Sequence, residues 1–230
     1  KEDMWVSRIP LPIRYKVTES ISEDFDNMQT NGAVIDWNVY APQWAPVDVV
    51  EFPSTSNKCL QLKDGDPYDY ARAIRVVEES GRLEIRFRIY VQNAYTGMLE
   101  VDVTDRYGNR PVRLCFDDDS KLKAFNGASQ IELCSYQLNQ WHDIHIRAHA
   151  LPSSVFSITI DGKEVLVEAN AAVAVKSMER ISFRTGTYRD LPKRRTPNQI
   201  PGPPLEDCDD PIPPAVFYID DFSAKVIENK

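Results

Sequence analysis

The last hydrophobic stretch of the chain constrains the fold most, because its apolar positions change parity halfway along. Residues 216–226 read VFYIDDFSAKV. Phe217 and Ile219 share one parity, whereas Phe222 and Ala224 share the other. Successive side chains of a β-strand point to opposite faces, so a single buried face requires a change of register between these pairs. One extra residue at the intervening aspartates would provide it, and the sequence therefore predicts a β-bulge there.

An acidic stretch near the start of the chain, SEDFD at 22–26, mirrors the closing strand. We expect the two segments to be neighbours that close a two-sheet antiparallel β-sandwich. Adjacent carboxylates at such a junction are costly unless cations or amides meet them. Ca²⁺ takes about six to eight oxygen ligands, several of them carboxylate. The pattern therefore predicts a structural Ca²⁺ site, with solvated carboxylates as the alternative, from the following acidic residues: Glu23, Asp24, Asp26, Asp220 and Asp221.

The rest of the chain also shows the period-two alternation of an all-β protein. The stretch 81–90, GRLEIRFRIY, places Leu, Ile and Phe against Arg and Glu, as in a half-buried strand. Asp161-Gly162 predicts a two-residue hairpin turn, because both residues tolerate positive φ. The small apolar stretch 169–175 is predicted as a short helical turn. The predicted strands are 4–9, 21–28, 34–40, 47–52, 58–62, 71–77, 81–90, 98–104, 112–116, 121–125, 130–136, 141–148, 155–160, 163–167, 180–186 and 216–226.

Length and charge limit the classes of function. A chain of 230 residues suits one large β domain. We assign 1–20 to the tail of an upstream domain with a proline-stiffened linker, and 21–230 to the sandwich, with a long proline-rich loop at 187–214. The net charge of −8 argues against a nucleic-acid partner, which requires a basic face. No apolar run approaches the roughly 20 residues of a membrane span.

The four cysteines, Cys59, Cys115, Cys134 and Cys208, have wide and irregular spacings that fit neither a disulfide framework nor a zinc site. Cys115 and Cys134 lie on consecutive predicted strands, and a turn near residues 124–125 would place them opposite each other. We favour packed free thiols over a cross-strand disulfide, because free cysteine is among the most buried residue types.

Two segments carry a family resemblance. QWHDIHI at 140–146, the Asp161-Gly162 hairpin and the closing IDDF resemble the late part of concanavalin A-like (laminin G-like) jelly rolls. The opening KEDMWVSRIPLP is similar to the final strand of bacterial BNR, sialidase-like β-propeller proteins that act on polysaccharides. The resemblance implies the C-terminal module of a secreted, periplasmic or cell-surface protein whose catalytic domain lies upstream. Similar sandwiches often hold a structural Ca²⁺ where their termini meet.

Catalytic residues are hard to assign in this chain. Laminarinase-type jelly rolls carry Glu-x-Asp-x-x-Glu on one strand, and the nearest stretch, LEVDVTD at 99–105, lacks the second Glu at that spacing. The alginate-lyase pattern of jelly rolls is only partly matched around Tyr188. We therefore predict no catalytic residues.

Sugar binding is the better supported class, because aromatic faces stack on pyranose C–H groups while polar groups ring them. Trp37, Tyr40 and Trp44 form one candidate group, although Trp37 and Tyr40 could instead pack in the core. Tyr188, Arg189 and Arg194 in the proline-rich loop form another, which suits uronate or sulfate groups, with a solvated charge patch as the alternative. We predict a non-catalytic accessory domain that binds a polysaccharide or oligosaccharide or packs on the catalytic domain. The alternatives are a lyase or hydrolase on the concave sheet and a structural spacer.

Overall fold

The computed structural model describes residues 16–66, 69–94, 97–186 and 210–227, and these form fifteen β-strands without an α-helix. No described segment is therefore a helix long and apolar enough to cross a bilayer. The strands are β1 Ile21–Glu23, β2 Trp37–Tyr40, β3 Val47–Glu51, β4 Lys58–Asp64, β5 Arg72–Ser80, β6 Arg82–Asn93, β7 Leu99–Thr104, β8 Val112–Phe116, β9 Lys121–Asn126, β10 Ser129–Ser135, β11 Trp141–His149, β12 Val155–Ile160, β13 Lys163–Asn170, β14 Met178–Thr185 and β15 Ala215–Val226.

The strands form two antiparallel sheets. The eight-stranded sheet has the order β13-β12-β11-β6-β15-β4-β3, with β1 also paired to β15. The seven-stranded sheet has the order β10-β9-β8-β7-β14-β5-β2. The predicted all-β, two-sheet sandwich is confirmed.

The core lies between the two sheets and is built from the alternate residues of each strand. In β6, Leu83, Ile85, Phe87 and Ile89 are all at most 1% exposed. Phe87 meets Phe183 of β14 edge to face, with ring centroids 5.0 Å apart. Burying each such side chain contributes about 1.5–3 kcal/mol, so this interface dominates the stability of the fold.

The closing strand has the predicted change of register. Phe217, Ile219 and Phe222 are fully buried, and the pairing of β15 with β6 shifts between Asp220 and Ser223. Asp221 takes up the extra residue with a φ of 48°, and it is exposed. Glu23 of β1 is the Cα partner of Phe222, so the first and last strands are neighbours as predicted.

The predicted hairpin at Asp161-Gly162 is also present, and both residues have positive φ, 49° and 77°. The predicted helical turn at 169–175 is wrong, because β13 continues to Asn170 and the residues beyond it form bends. The predicted strand at 4–9 lies outside the described residues.

The cysteine geometry differs from the prediction in one respect. Residues 124–125 belong to β9, which lies between the strands that carry Cys115 and Cys134, so they form no turn. Both thiols are free, as favoured from the sequence, and the Sγ of Cys115 lies 3.2 Å from the Sδ of Met98. Burial raises the pKa of the Cys115 thiol.

Candidate functional site

The outer face of the seven-stranded sheet, the side turned away from the core, carries two rows of residues that are mostly polar. One row of Cα partners crosses five strands, from β2 through β5, β14 and β7 to β8, and a second row runs beside it. The first row is Tyr40, Arg72, Arg184, Glu100 and Cys115, and the second is Asn38, Ile74, Ser182, Asp102 and Arg113. Because side chains two apart on a strand share a face, both rows point the same way.

Three arginines and two carboxylates converge at the middle of these rows, and we call them the arginine–carboxylate cluster: Glu100, Asp102, Arg110, Arg113 and Arg184. Arg110 comes from the β7–β8 loop, and its Nη1 lies 3.4 Å from Glu100 Oε2 and 3.3 Å from Asp102 Oδ2. Arg113 Nη2 lies 3.5 Å from Glu100 Oε1. Arg184 Nη1 lies 3.7 Å from Glu100 Oε2.

The cluster is largely withdrawn from water. Asp102 is 1% exposed, Arg184 4% and Glu100 8%. Burial raises the pKa of the Asp102 carboxyl to about 7, with a further rise from Glu100, and outweighs the opposite effect of Arg110 and Arg113. Burial raises the pKa of Glu100 as well. These carboxyls therefore bind protons more readily than exposed ones.

Hydrogen bonding within the second row is incomplete. Among the described residues, Asp102 Oδ1, Arg113 Nε and Ser182 Oγ are buried and have no hydrogen-bond partner. Arg113 Nε and Asp102 Oδ1 are 3.9 Å apart, which is too far for a hydrogen bond. Buried polar atoms usually have partners, so the hydrogen bonding of this row is incomplete for a buried network.

An aromatic pair, Tyr40 and Tyr70, lies at the β2 end of the first row. The two rings are 4.9 Å apart, and the Tyr40 hydroxyl donates a hydrogen bond of 2.7 Å to Asp69 Oδ2. The Arg184 guanidinium lies 3.9 Å from the centre of the Tyr70 ring, and that of Arg72 lies 5.8 Å from it. The tyrosine pair and the cluster therefore form one continuous surface.

The predicted aromatic group is divided by the fold. Trp37 and Tyr40 have opposite parity on β2, so Trp37 faces the core at 7% exposure and Tyr40 faces outward. Trp44 is half-buried in the β2–β3 connection, where its carbonyl accepts a hydrogen bond from Gly65 N. Tyr188, Arg189 and Arg194 lie outside the described residues.

The acidic residues predicted to hold Ca²⁺ lie near the junction of β1 with β15 but have other partners. Asp26 Oδ1 accepts a hydrogen bond from Lys58 N, and Asp24 Oδ1 accepts one from Asp26 N. Glu23 Oε1 accepts a hydrogen bond from Phe25 N. Within the described ranges, carboxylates that converge closely enough to share a metal ion occur in the turn 117–119, a different acidic segment.

The other two members of the predicted metal site lie at the bulge. Asp220 is 2% exposed and accepts a hydrogen bond of 3.0 Å from Asn57 Nδ2, whereas Asp221 pairs with Arg88 at 3.3 Å. Burial raises the pKa of the Asp220 carboxyl. The calcium site stays a prediction.

Sequence reasoning missed the arginine–carboxylate cluster, although its components were visible. LEVDVT places Glu100 and Asp102 on one strand face, and RPVR places Arg110 and Arg113 shortly after a turn. Such a strand with charges on one face is usually solvated. Only the pairing of β7 with β8 and β14 shows that these charges meet and are buried.

The outer face of the eight-stranded sheet carries a smaller aromatic cluster, formed by Phe52, Tyr90, Trp141 and Tyr218. Phe52 stacks on Tyr218 with centroids 4.0 Å apart, and Tyr90 meets Trp141 edge to face at 5.5 Å. The Arg88 guanidinium lies 4.9 Å from the Trp141 ring centre. Phe52, Tyr90 and Trp141 are half-buried, as Tyr40 and Tyr70 are, and Tyr218 is 6% exposed. This cluster is therefore a second aromatic surface and serves as the comparison for the tyrosine pair.

Comparisons with known proteins agree with this architecture. The chain is similar to a solved sialidase, with 27% identity and a TM-score of 0.87. The match covers 99% of this chain but 20% of the sialidase. It also shares its fold with an endo-β-1,4-glucuronan lyase from the fungus Trichoderma reesei, with a TM-score of 0.56 and 13% identity over 86% of this chain and 94% of the lyase.

An alginate lyase solved with an alginate trisaccharide has a TM-score of 0.57 and 12% identity, over 92% of this chain and all of that one. A search among curated proteins finds no match. A family model described as "Sialidase-like, CBM domain" matches residues 37–200, which is most of the chain. The chain therefore belongs to this family of sialidase-like carbohydrate-binding modules and is a carbohydrate-binding accessory domain.

Proposed function

We propose that this module binds glycan on the outer face of the seven-stranded sheet, as part of a longer extracellular enzyme that degrades glycans. The tyrosine pair, continuous with the arginine–carboxylate cluster through Arg72 and Arg184, is the observation that carries the proposal. Aromatic rings supply faces for the C–H groups of a pyranose, and the charged row supplies hydrogen bonds to its polar substituents.

The parent enzyme is part of the proposal because this chain spans only 20% of the length of the sialidase that it resembles. The glycan-degrading activity would then lie on the rest of the polypeptide. The cluster favours binding over catalysis, since its two carboxylates face three guanidinium groups that hold them in ion pairs.

Isothermal titration of the module with a panel of oligosaccharides tests the proposal. Tyr40→Ala should weaken binding by about tenfold, since stacking of a ring on its ligand is worth about 1–2 kcal/mol. Trp141→Ala, the matched aromatic change on the opposite sheet, should leave affinity unchanged. The reverse pattern would move the site to the eight-stranded sheet, and turnover of a polyuronate by the module would make it an enzyme.

The proposed Ca²⁺ at the junction of β1 with β15 has a separate test. Bound Ca²⁺ stabilises the native state by mass action, so millimolar CaCl₂ should raise Tm, and chelation should reverse the effect. The rise should disappear in Asp24→Asn. If CaCl₂ leaves the Tm of the unsubstituted module unchanged, the calcium site is rejected and the glycan proposal is unaffected.

A further inference from the structure

We propose that the arginine–carboxylate cluster binds a sugar residue that carries a carboxylate, and that one proton is taken up as it binds. This inference rests on the proposed function and names the class of glycan for that site. Its support comes from charge, from incomplete hydrogen bonding and from the way the arginines are held.

The cluster is positive on an otherwise acidic protein. Its three guanidinium groups face two carboxylates, an excess of one positive charge even when both acids are ionised. The whole chain has a net charge of −8. The net charge repels a polyanionic glycan at long range, and the positive cluster offers an acidic sugar a local attraction.

The arginines are positioned before any ligand arrives. The Arg113 guanidinium lies 3.9 Å from the centre of the Phe125 ring, and that of Arg184 lies at the same distance from Tyr70. Stacked guanidinium groups lose little freedom on binding, and their planar fork matches a carboxylate. The side chains of Arg110 and Arg113 are each 21% exposed, so an incoming carboxylate reaches these two first.

The unpartnered atoms belong to Arg113 itself and to its two neighbours in the second row, Asp102 and Ser182. Asp102 Oδ1, Ser182 Oγ and Arg113 Nε are buried without hydrogen-bond partners among the described residues. Leaving such groups unpaired costs free energy, which a ligand offering oxygens and hydroxyls can recover. A neutral apolar ligand would leave this cost in place.

Proton uptake follows from competition for the guanidinium groups. Asp102 is faced by Glu100 on its own strand, Arg110 on the loop, Arg113 on β8 and Ser182 on β14, while Arg184 of β14 pairs with Glu100. When Asp102 is neutral, the cluster gains one positive charge and Arg110 is released toward the ligand. Because burial raises the pKa of Asp102 to about 7, this exchange falls between about pH 6 and 8.

Calorimetric titration with two acidic probes, alginate trisaccharide and 3′-sialyllactose, tests the inference. Their neutral counterparts are carboxyl-reduced alginate trisaccharide and lactose. At least one acidic probe should bind about tenfold or more tightly than its counterpart, since hydrogen bonds to charged groups are the stronger ones. Its affinity should be up to about tenfold higher at pH 6 than at pH 8, following the protonated fraction of a group with a pKa near 7.

Variants assign the effect to residues. Arg113→Gln, and Arg110→Gln in the loop, should each weaken the acidic probe about tenfold and weaken its neutral counterpart distinctly less, because only the acidic probe loses a charge-assisted hydrogen bond. Asp102→Asn should remove the dependence on pH and keep the affinity found at pH 6. Arg147→Gln on the eight-stranded sheet removes the same charge outside the cluster, pairs only loosely with Glu164 at 3.8 Å, and should change neither. A Tm for each variant identifies any change that merely unfolds the protein.

The outcomes separate the two proposals. Binding of neutral probes that Tyr40→Ala removes, without any preference for the acidic ones, would overturn this inference and leave glycan binding intact. If Arg147→Gln weakens the preference for acidic probes as much as Arg113→Gln does, the preference comes from the overall charge of the protein. That result would overturn the assigned site. Failure of every probe to bind would refute both.

Discussion

Replacing Trp37 by alanine tests whether this indole holds the two sheets together or binds ligand. Its ring centroid lies 5.2 Å from Phe222, 5.8 Å from Phe25 and 6.0 Å from Phe183, so it joins both ends of the chain to the core. Removing a buried aromatic side chain costs about 3–5 kcal/mol. In a domain of this size each kcal/mol lowers Tm by roughly 2–4 °C, so we expect a fall of about 6–20 °C.

Trp37→Phe should lower Tm much less. The buried indole N–H has no hydrogen-bond partner among the described residues, and a phenyl ring has no N–H that could be left unpaired. Circular dichroism during heating and urea unfolding measures both variants. Ile35→Ala is the neighbouring control, since Ile35 is 57% exposed and should change stability by no more than about 0.5 kcal/mol. A stable Trp37→Ala that loses glycan affinity would refute the core role and restore the ligand role.

Three further predictions follow from local geometry. Burial raises the pKa of Asp64 to about 6, above the ordinary 3.8, so the native state holds its proton more tightly. Stability should therefore fall by up to about 3 kcal/mol as pH rises from 4 to 7, and Asp64→Asn should flatten that decline in Tm. Gly162→Ala, at a φ of 77°, should lower the free energy of unfolding by about 1 kcal/mol in urea. Gly81→Ala is the control and should be tolerated, because its new Cβ would lie 3.8 Å from the nearest atom. Equal costs would contradict the turn assignment. Peptide mapping should show alkylation of half-buried Cys134 before Cys59, whose pKa burial raises to about 12, and the opposite order would mean that their burial is wrong.

The features that sequence predicted well were those encoded over short distances. The parity change between Ile219 and Phe222 required a bulge, because both residues are too apolar to face water. Asp161-Gly162 encoded its own turn through the positive φ that both residues tolerate. The prediction that β1 and β15 are neighbours spanned almost the whole chain. It rested on the likeness of SEDFD and IDDF, each of which places an aspartate directly before a buried phenylalanine.

The candidate binding face was harder to predict from the sequence, because it depends on the order of strands in the sheet. Tyr40, Arg184 and Glu100 are far apart in sequence and meet only because β14 lies between β5 and β7. Strand order is set by long-range packing that leaves no local signature. The predicted turn near residues 124–125 was wrong for a related reason, since β9 occupies that place, whereas the favoured free thiols are present.

The energetics of the arginine–carboxylate cluster indicate why such a face persists. A sandwich needs apolar residues on only the inner face of each strand, so nothing in the fold requires Asp102 at 1% exposure. Buried ion pairs are often no more stabilising than well-packed apolar residues of similar volume. Asp102 is less favourable still, because a raised pKa means that ionising it at neutral pH costs native stability. Ionised Asp102 therefore costs stability on a face that the core does not use, which supports the proposal that this face binds ligand and is the reason to test it first with acidic sugars.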